Sequence, residues 1–180
     1  EAATNNRLAR DGWLGAEVAV AGPQALFFNG LLVGFNASKD DGLGILATAL
    51  GVIPTAGVTA LTTHGIWGLA DERTDASAIA GISVITGTNF AFTMTALGRL
   101  SRGRLHSRGI GIFQAVLTAP GAAVGVYEST FDRPQRGAWI ALTGWSTALA
   151  VHGVVSAIVR GSDEDDDPPP AVDPSAPGPN

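Results

Sequence analysis

Cysteine is absent from the 180 residues, so no disulfide framework, thiolate metal site or cysteine nucleophile can be built. Charge is scarce as well: 15% of the residues are charged, where a soluble domain carries about 25%. The formal charge of -5 reflects one run, "SDEDDD" from Ser162 to Asp167, and without it the chain is close to neutral. No overall basic face exists for nucleic acid. Catalytic signatures are missing too: there is no P-loop, no dinucleotide fingerprint after a strand, no H-E-x-x-H and no G-x-S-x-G. A non-enzymatic role is therefore expected.

What the chain has in quantity is apolar sequence. Five segments stand out: Trp13 to Phe35, Leu43 to Leu69, Ala76 to Leu97, Ile110 to Tyr127 and Gly137 to Val159. Each is close to the roughly 20 residues that a helix needs to cross a hydrocarbon core about 30 Å thick. Apart from histidine, Glu17 is the one ionisable group inside them. An outer-membrane barrel would alternate apolar and polar residues, whereas "GLLVGF" and "AIAGISVI" are apolar at consecutive positions. A soluble helical core would need helices with a polar face, which these segments do not supply. The expected fold is an all-α integral membrane protein, a bundle of about five transmembrane helices over residues 13–160. A short polar segment, 1–12, precedes it. An acidic and then proline-rich tail, 161–180, follows, and by composition it is expected to be disordered.

Orientation is read from the connections. The stretch from Arg99 to Arg108 carries Arg99, Arg102, Arg104 and Arg108, the largest basic cluster, which belongs in the cytoplasm. Five crossings then place Glu1 outside and the acidic tail inside. A start at Glu1 rather than methionine is expected to follow removal of a leader, which agrees with that orientation. The expected location is a bacterial-type inner membrane, with the lipid bilayer and other membrane subunits, or further copies of the chain, as partners.

Two stretches resemble each other. "ALTTHG" ending at Gly65 matches "ALAVHG" ending at Gly153, and "NGLLVG" from Asn29 matches "PGAAVG" from Pro120. Segments one and two thus resemble segments four and five. If the third segment crosses the membrane, the copies form an inverted two-helix repeat, an arrangement found in many transporters. Each copy holds a G-x-x-x-G, Gly30 with Gly34 and Gly121 with Gly125, spaced for close helix packing. Pro23, Pro54 and Pro120 fall inside segments and are expected either to kink their helices or to mark breaks along a solute path.

Ionisable and amide groups at membrane depth are the candidates for chemistry: Glu17, Asn29, His64, Asn89 and His152 form a candidate intramembrane polar site. Glu17 and His64 both lie toward the outer side, where they could share a proton, hold a metal, or simply satisfy local partners. Haem held by His64 and His152 is a further reading. At 1.5 Å per residue, five crossings separate the two histidines in height by roughly 10 to 20 Å, which disfavours a shared iron. The first functional expectation is a structural or accessory subunit of a membrane assembly. The alternatives are a small transporter or channel with an inverted repeat, and a b-type haem protein.

Overall fold

A computed structural model describes residues 2–70 and 74–165. The described residues form five helices: α1 (Ala2–Asn36), α2 (Asp41–Ala70), α3 (Ala76–Leu100), α4 (Arg108–Ser129) and α5 (Arg136–Asp165). All five are long and apolar enough to cross a membrane. The helix of α5 runs through Asp165, and the remainder of the expected tail lies outside the described residues. Pro23, Pro54 and Pro120 each sit within a helix that continues past them.

The helices alternate in direction. At one end, Arg102 Nη1 in the α3–α4 connection donates to Ala37 O in the α1–α2 connection at 3.2 Å. At the other end, Gln135 Nε2 just before α5 donates to Thr74 Oγ1 just before α3 at 2.8 Å. Connections one and three therefore share one end and connections two and four the other, so α3 runs the full length between them. α3 also lies at the centre, packed against α1, α2, α4 and α5. Asp75 starts it by accepting hydrogen bonds from Ser77 N and Ser77 Oγ.

The distribution of polarity is inside out. Large apolar side chains cover the surface, with Leu26 80% and Leu50 70% exposed. Polar side chains fill the middle, where Thr48, Gln114 and Ser146 are fully buried. Water would penalise this arrangement, since a soluble monomer rarely exposes so continuous an apolar surface. Lipid tails favour it, because they leave no drive to hide leucine and a strong one to pair amides and hydroxyls.

Small residues set how close the helices come. The buried stripe that starts at Gln135, just before α5, and continues along it through Trp139, Leu142, Ser146, Leu149, Gly153 and Ser156 repeats at alternating spacings of four and three. That spacing is the 3.5-residue period of left-handed helix packing. Opposite it, α4 presents Gly111, Gln114, Thr118, Gly121 and Gly125. A methyl added at Gly111 would fall 2.6 Å from Gly153 O, and one at Gly153 would fall 2.5 Å from Gly111 O. Across α2 and α3, a methyl at Gly87 would collide with the backbone at Ala56.

Candidate functional site

The polar residues picked out from the sequence do not form one site. They fall into three separate groups, and two further residues join them.

Nearest the end that holds the α2–α3 connection, Glu17 of α1 meets His64 of α2. Glu17 Oε2 lies 2.7 Å from His64 Nδ1, and Trp13 Nε1 donates to Glu17 Oε1 at 2.8 Å. Both carboxylate oxygens are thus engaged, and in its neutral form the imidazole carries its proton on Nδ1 to donate to Glu17. Gly65 and Gly68 allow this pairing, because side chains there would run into Leu14 and Val18 of α1. His64 lines two openings. One is a groove of about 670 Å³ between α2 and α3, walled by Pro54, Gly57, Leu61, Ala80 and Val84. The other is a pocket of about 500 Å³ at the bundle end, which includes Arg10, Trp13 and Thr74.

In the middle, Asn29 and Asn89 are helix ties. Asn29 Nδ2 donates to Thr59 Oγ1 at 2.9 Å and to Ala25 O, joining α1 to α2. Asn89 Nδ2 donates to Ser146 Oγ at 2.8 Å, joining α3 to α5. Four hydroxyls of α3 bond back within their own helix: Ser83 to Ile79 O, Thr88 to Val84 O, Thr93 to Asn89 O and Thr95 to Ala91 O. Each hydroxyl proton is thus satisfied within the helix, although Ser83 and Thr88 also line surface openings.

At the opposite end, His152 meets a residue that sequence reasoning left in a loop. His106 is 1% exposed, its ring centre 5.1 Å from that of His152 with the planes at 87°. Gly103 brings it there: with φ +65° it closes α3 in a Schellman turn, Gly103 N donating to Leu100 O and Arg104 N to Arg99 O. The chain then folds back over the bundle end. Gln114 of α4 donates from Nε2 to Leu149 O at 2.6 Å and lies 3.2 Å from His152 Nδ1. With Nε2 fixed by that carbonyl, His152 Nδ1 accepts, which leaves its proton on Nε2.

Neither nitrogen of His106 attains hydrogen-bond geometry among the described residues, nor do Gln114 Oε1 and His152 Nε2. Burial, then the charges of His152 and Arg99, push the His106 pKa down to about 3; nearby Gln114 offsets this slightly without reaching a bonded geometry. His106 is accordingly neutral at physiological pH. His64 and His152, at opposite ends and with different partners, have no common position for an iron.

The arginine cluster is also put to internal use. Arg99, buried, donates to Asp41 Oδ1 at 2.7 Å and to Asn36 Oδ1 at 3.2 Å, while Arg104 reaches Asp41 Oδ2 at 2.6 Å. Together with Arg102 they clamp the α3–α4 connection onto the α1–α2 connection. The only signal for this in the sequence is an aspartate at the start of α2 and a run of arginines at the end of α3, which charge counting reads as orientation alone.

The four glycines of the paired motifs separate as well. Gly121 and Gly125 face α5, where added methyls would strike Ser146 Oγ and Thr143. Gly30 and Gly34 point outward, and methyls there would meet nothing within 4 Å. No grouping of three or more histidine, aspartate or glutamate side chains suited to a metal occurs among the described residues. Comparison with protein families, with curated proteins and with solved structures gives no match.

Proposed function

We propose that this chain is a non-enzymatic structural or accessory subunit of a membrane assembly, held to its partner through the outer face of α1. The observation that supports it is the open pair Gly30 and Gly34. In lipid, small residues four apart let a second helix approach closely, and such contact replaces the hydrophobic drive that the bilayer removes. The equivalent pair in α4 is already used against α5, whereas among the described residues no atom lies within 4 Å of a methyl placed at either glycine of the α1 pair. Leu26 and Phe27, both strongly exposed, flank it. The occupant is another transmembrane helix or a second copy.

Replacing Gly30 and Gly34 together by leucine tests this directly, because open space surrounds both. The expected result is loss of co-purifying subunits or of self-association, with helix content and thermal stability unchanged. Assemblies that survive the double change intact would sink the reading.

The orientation that accompanies it has the basic connection in the cytoplasm of a bacterial-type cell and the start of α1 outside. A second reading, a small transporter or channel built on an inverted repeat, draws support from the Glu17–His64 pair set in the wall of two openings. The opposite directions of the α1–α2 and α4–α5 hairpins are consistent with it. Reconstituted wild-type protein that moves no proton or solute, and behaves the same with Glu17→Gln, would exclude this second role.

A further inference from the structure

Three features meet at His64. A groove of about 670 Å³ runs along α2 and α3 with apolar walls, the side on which lipid tails would lie. A pocket of about 500 Å³ opens at the bundle end and brings in the guanidinium of Arg10. Glu17 sits behind the imidazole, its carboxylate on Nδ1 at 2.7 Å and itself steadied by Trp13. An apolar groove and a pocket that contains Arg10 thus share His64 as a wall, with a carboxylate–imidazole pair at that shared wall.

From this junction we infer that the protein binds a single-chain lipid with an ionisable head, a long-chain fatty acid, its tail in the α2–α3 groove and its carboxyl between His64 and Arg10. A neutral imidazole that donates Nδ1–H to a carboxylate has its lone pair on Nε2, free to accept a proton. The acid's O–H bond breaks, its proton forms the Nε2–H bond, and the resulting carboxylate faces two cations, the imidazolium and Arg10. Glu17 balances the charge on the imidazolium, so Arg10 is the counter-ion of the carboxylate. Charge-assisted hydrogen bonds of this kind are about twice as strong as neutral ones, stronger still in a low-dielectric setting.

Arg10 stays in place for this role because it donates from Nη2 to Gly68 O at 2.8 Å, using one of its several donors. Gly57 keeps the tail groove open: a methyl there meets no atom within 4 Å. A bulk phospholipid could lay a tail in the same groove and its phosphodiester near Arg10, but it carries no acidic proton for His64. The site is independent of whether the chain serves as a subunit or moves a solute.

The test uses the full chain purified in detergent, with brominated palmitic acid and its methyl ester as quenchers of tryptophan fluorescence, Trp13 being at the site. The acid should bind about tenfold more tightly than the ester, a difference that one charge-assisted contact accounts for. His64→Ala and Arg10→Ala should each bring the acid down to the ester's affinity. Gly57→Leu, whose Cβ meets no atom within 4 Å, puts a branched side chain into the groove and should weaken both probes. Equal binding of acid and ester by the wild type, or retention of the acid's advantage in both head variants, overturns the proposal. If Gly57→Leu keeps its melting temperature and binds both probes as the wild type does, the groove assignment is overturned.

Discussion

At the scale of single residues, the interior is governed by what an amide, an imidazole or a missing side chain can do without water. His106 shows it best. Groups face it from each packed element: His152 from α5, Arg99 from α3 and the neutral amide of Gln114 from α4. In the unfolded chain this histidine protonates near 6.5, but in the folded protein not until about 3. Between these values the unfolded state holds more protons, so folding stability falls as the pH drops through that window. Melting temperatures measured from neutral pH downward should decline from about pH 6.5, and His106→Gln should flatten the decline; an unchanged slope would assign it elsewhere. Gly87→Ala should destabilise by about 1–3 kcal/mol, because the new methyl meets the rigid backbone at Ala56 and forces the helices apart. Gly57→Ala, in open space, should be neutral or slightly stabilising, and denaturation in detergent micelles distinguishes the two.

Between elements, the decisive link is the clamp on Asp41. Arg99 is buried and Arg104 half exposed, yet both end on the same carboxylate. Removing Arg104 exposes nothing and should cost under about 1 kcal/mol. Asp41→Ala should cost about 3 kcal/mol, because it leaves the buried Arg99 charge without its carboxylate, with neutral Asn36 and the carbonyl of residue 41 as acceptors. Equal effects of the two substitutions in thermal unfolding would show that Arg99 finds another counter-charge. The existence of the five elements follows from sequence, but not all their ends do: α1 begins at Ala2, inside the expected polar segment 1–12, and α5 continues through Asp165, past the expected start of the disordered tail. All five apolar segments lie within the helices, since length and hydropathy are local properties and lipid demands that each crossing satisfy its own backbone. The clamp was not legible, because a pairing across 58 residues between Asp41 and Arg99 leaves no local trace.

For the whole molecule, the alternating helices make a prediction that the absence of native cysteine renders simple to check. Single cysteines at Ser77 and Ser129 belong to one end of the bundle, and those at Ser38 and Ser107 to the other. In intact cells a membrane-impermeant thiol reagent should label one pair and spare the other, and with the proposed orientation the labelled pair is Ser77 and Ser129. Shared labelling of Ser77 and Ser107 would mean that α3 does not cross, contrary to its position between the two ends. The same experiment orients the Glu17–His64 junction, which lies toward the Ser77 end, and places the His106–His152 group at the other.

Composition and periodicity alone determined that the described residues form five apolar helices, because length and hydropathy depend on each segment by itself and on the thickness of a bilayer. They also brought Glu17 and His64 to the same side, since depth can be counted in residues from each helix end. Tertiary structure decided the partners. His152 meets His106 rather than His64, because Gly103 turns the chain back and because antiparallel hairpins put the two helical histidines at opposite ends. Gly121 and Gly125 are covered while Gly30 and Gly34 are open, although the two pairs have the same spacing. Rotation of a helix about its own axis makes that difference, and the rotation is set by which neighbours compete for its small-residue face, not by the helix itself.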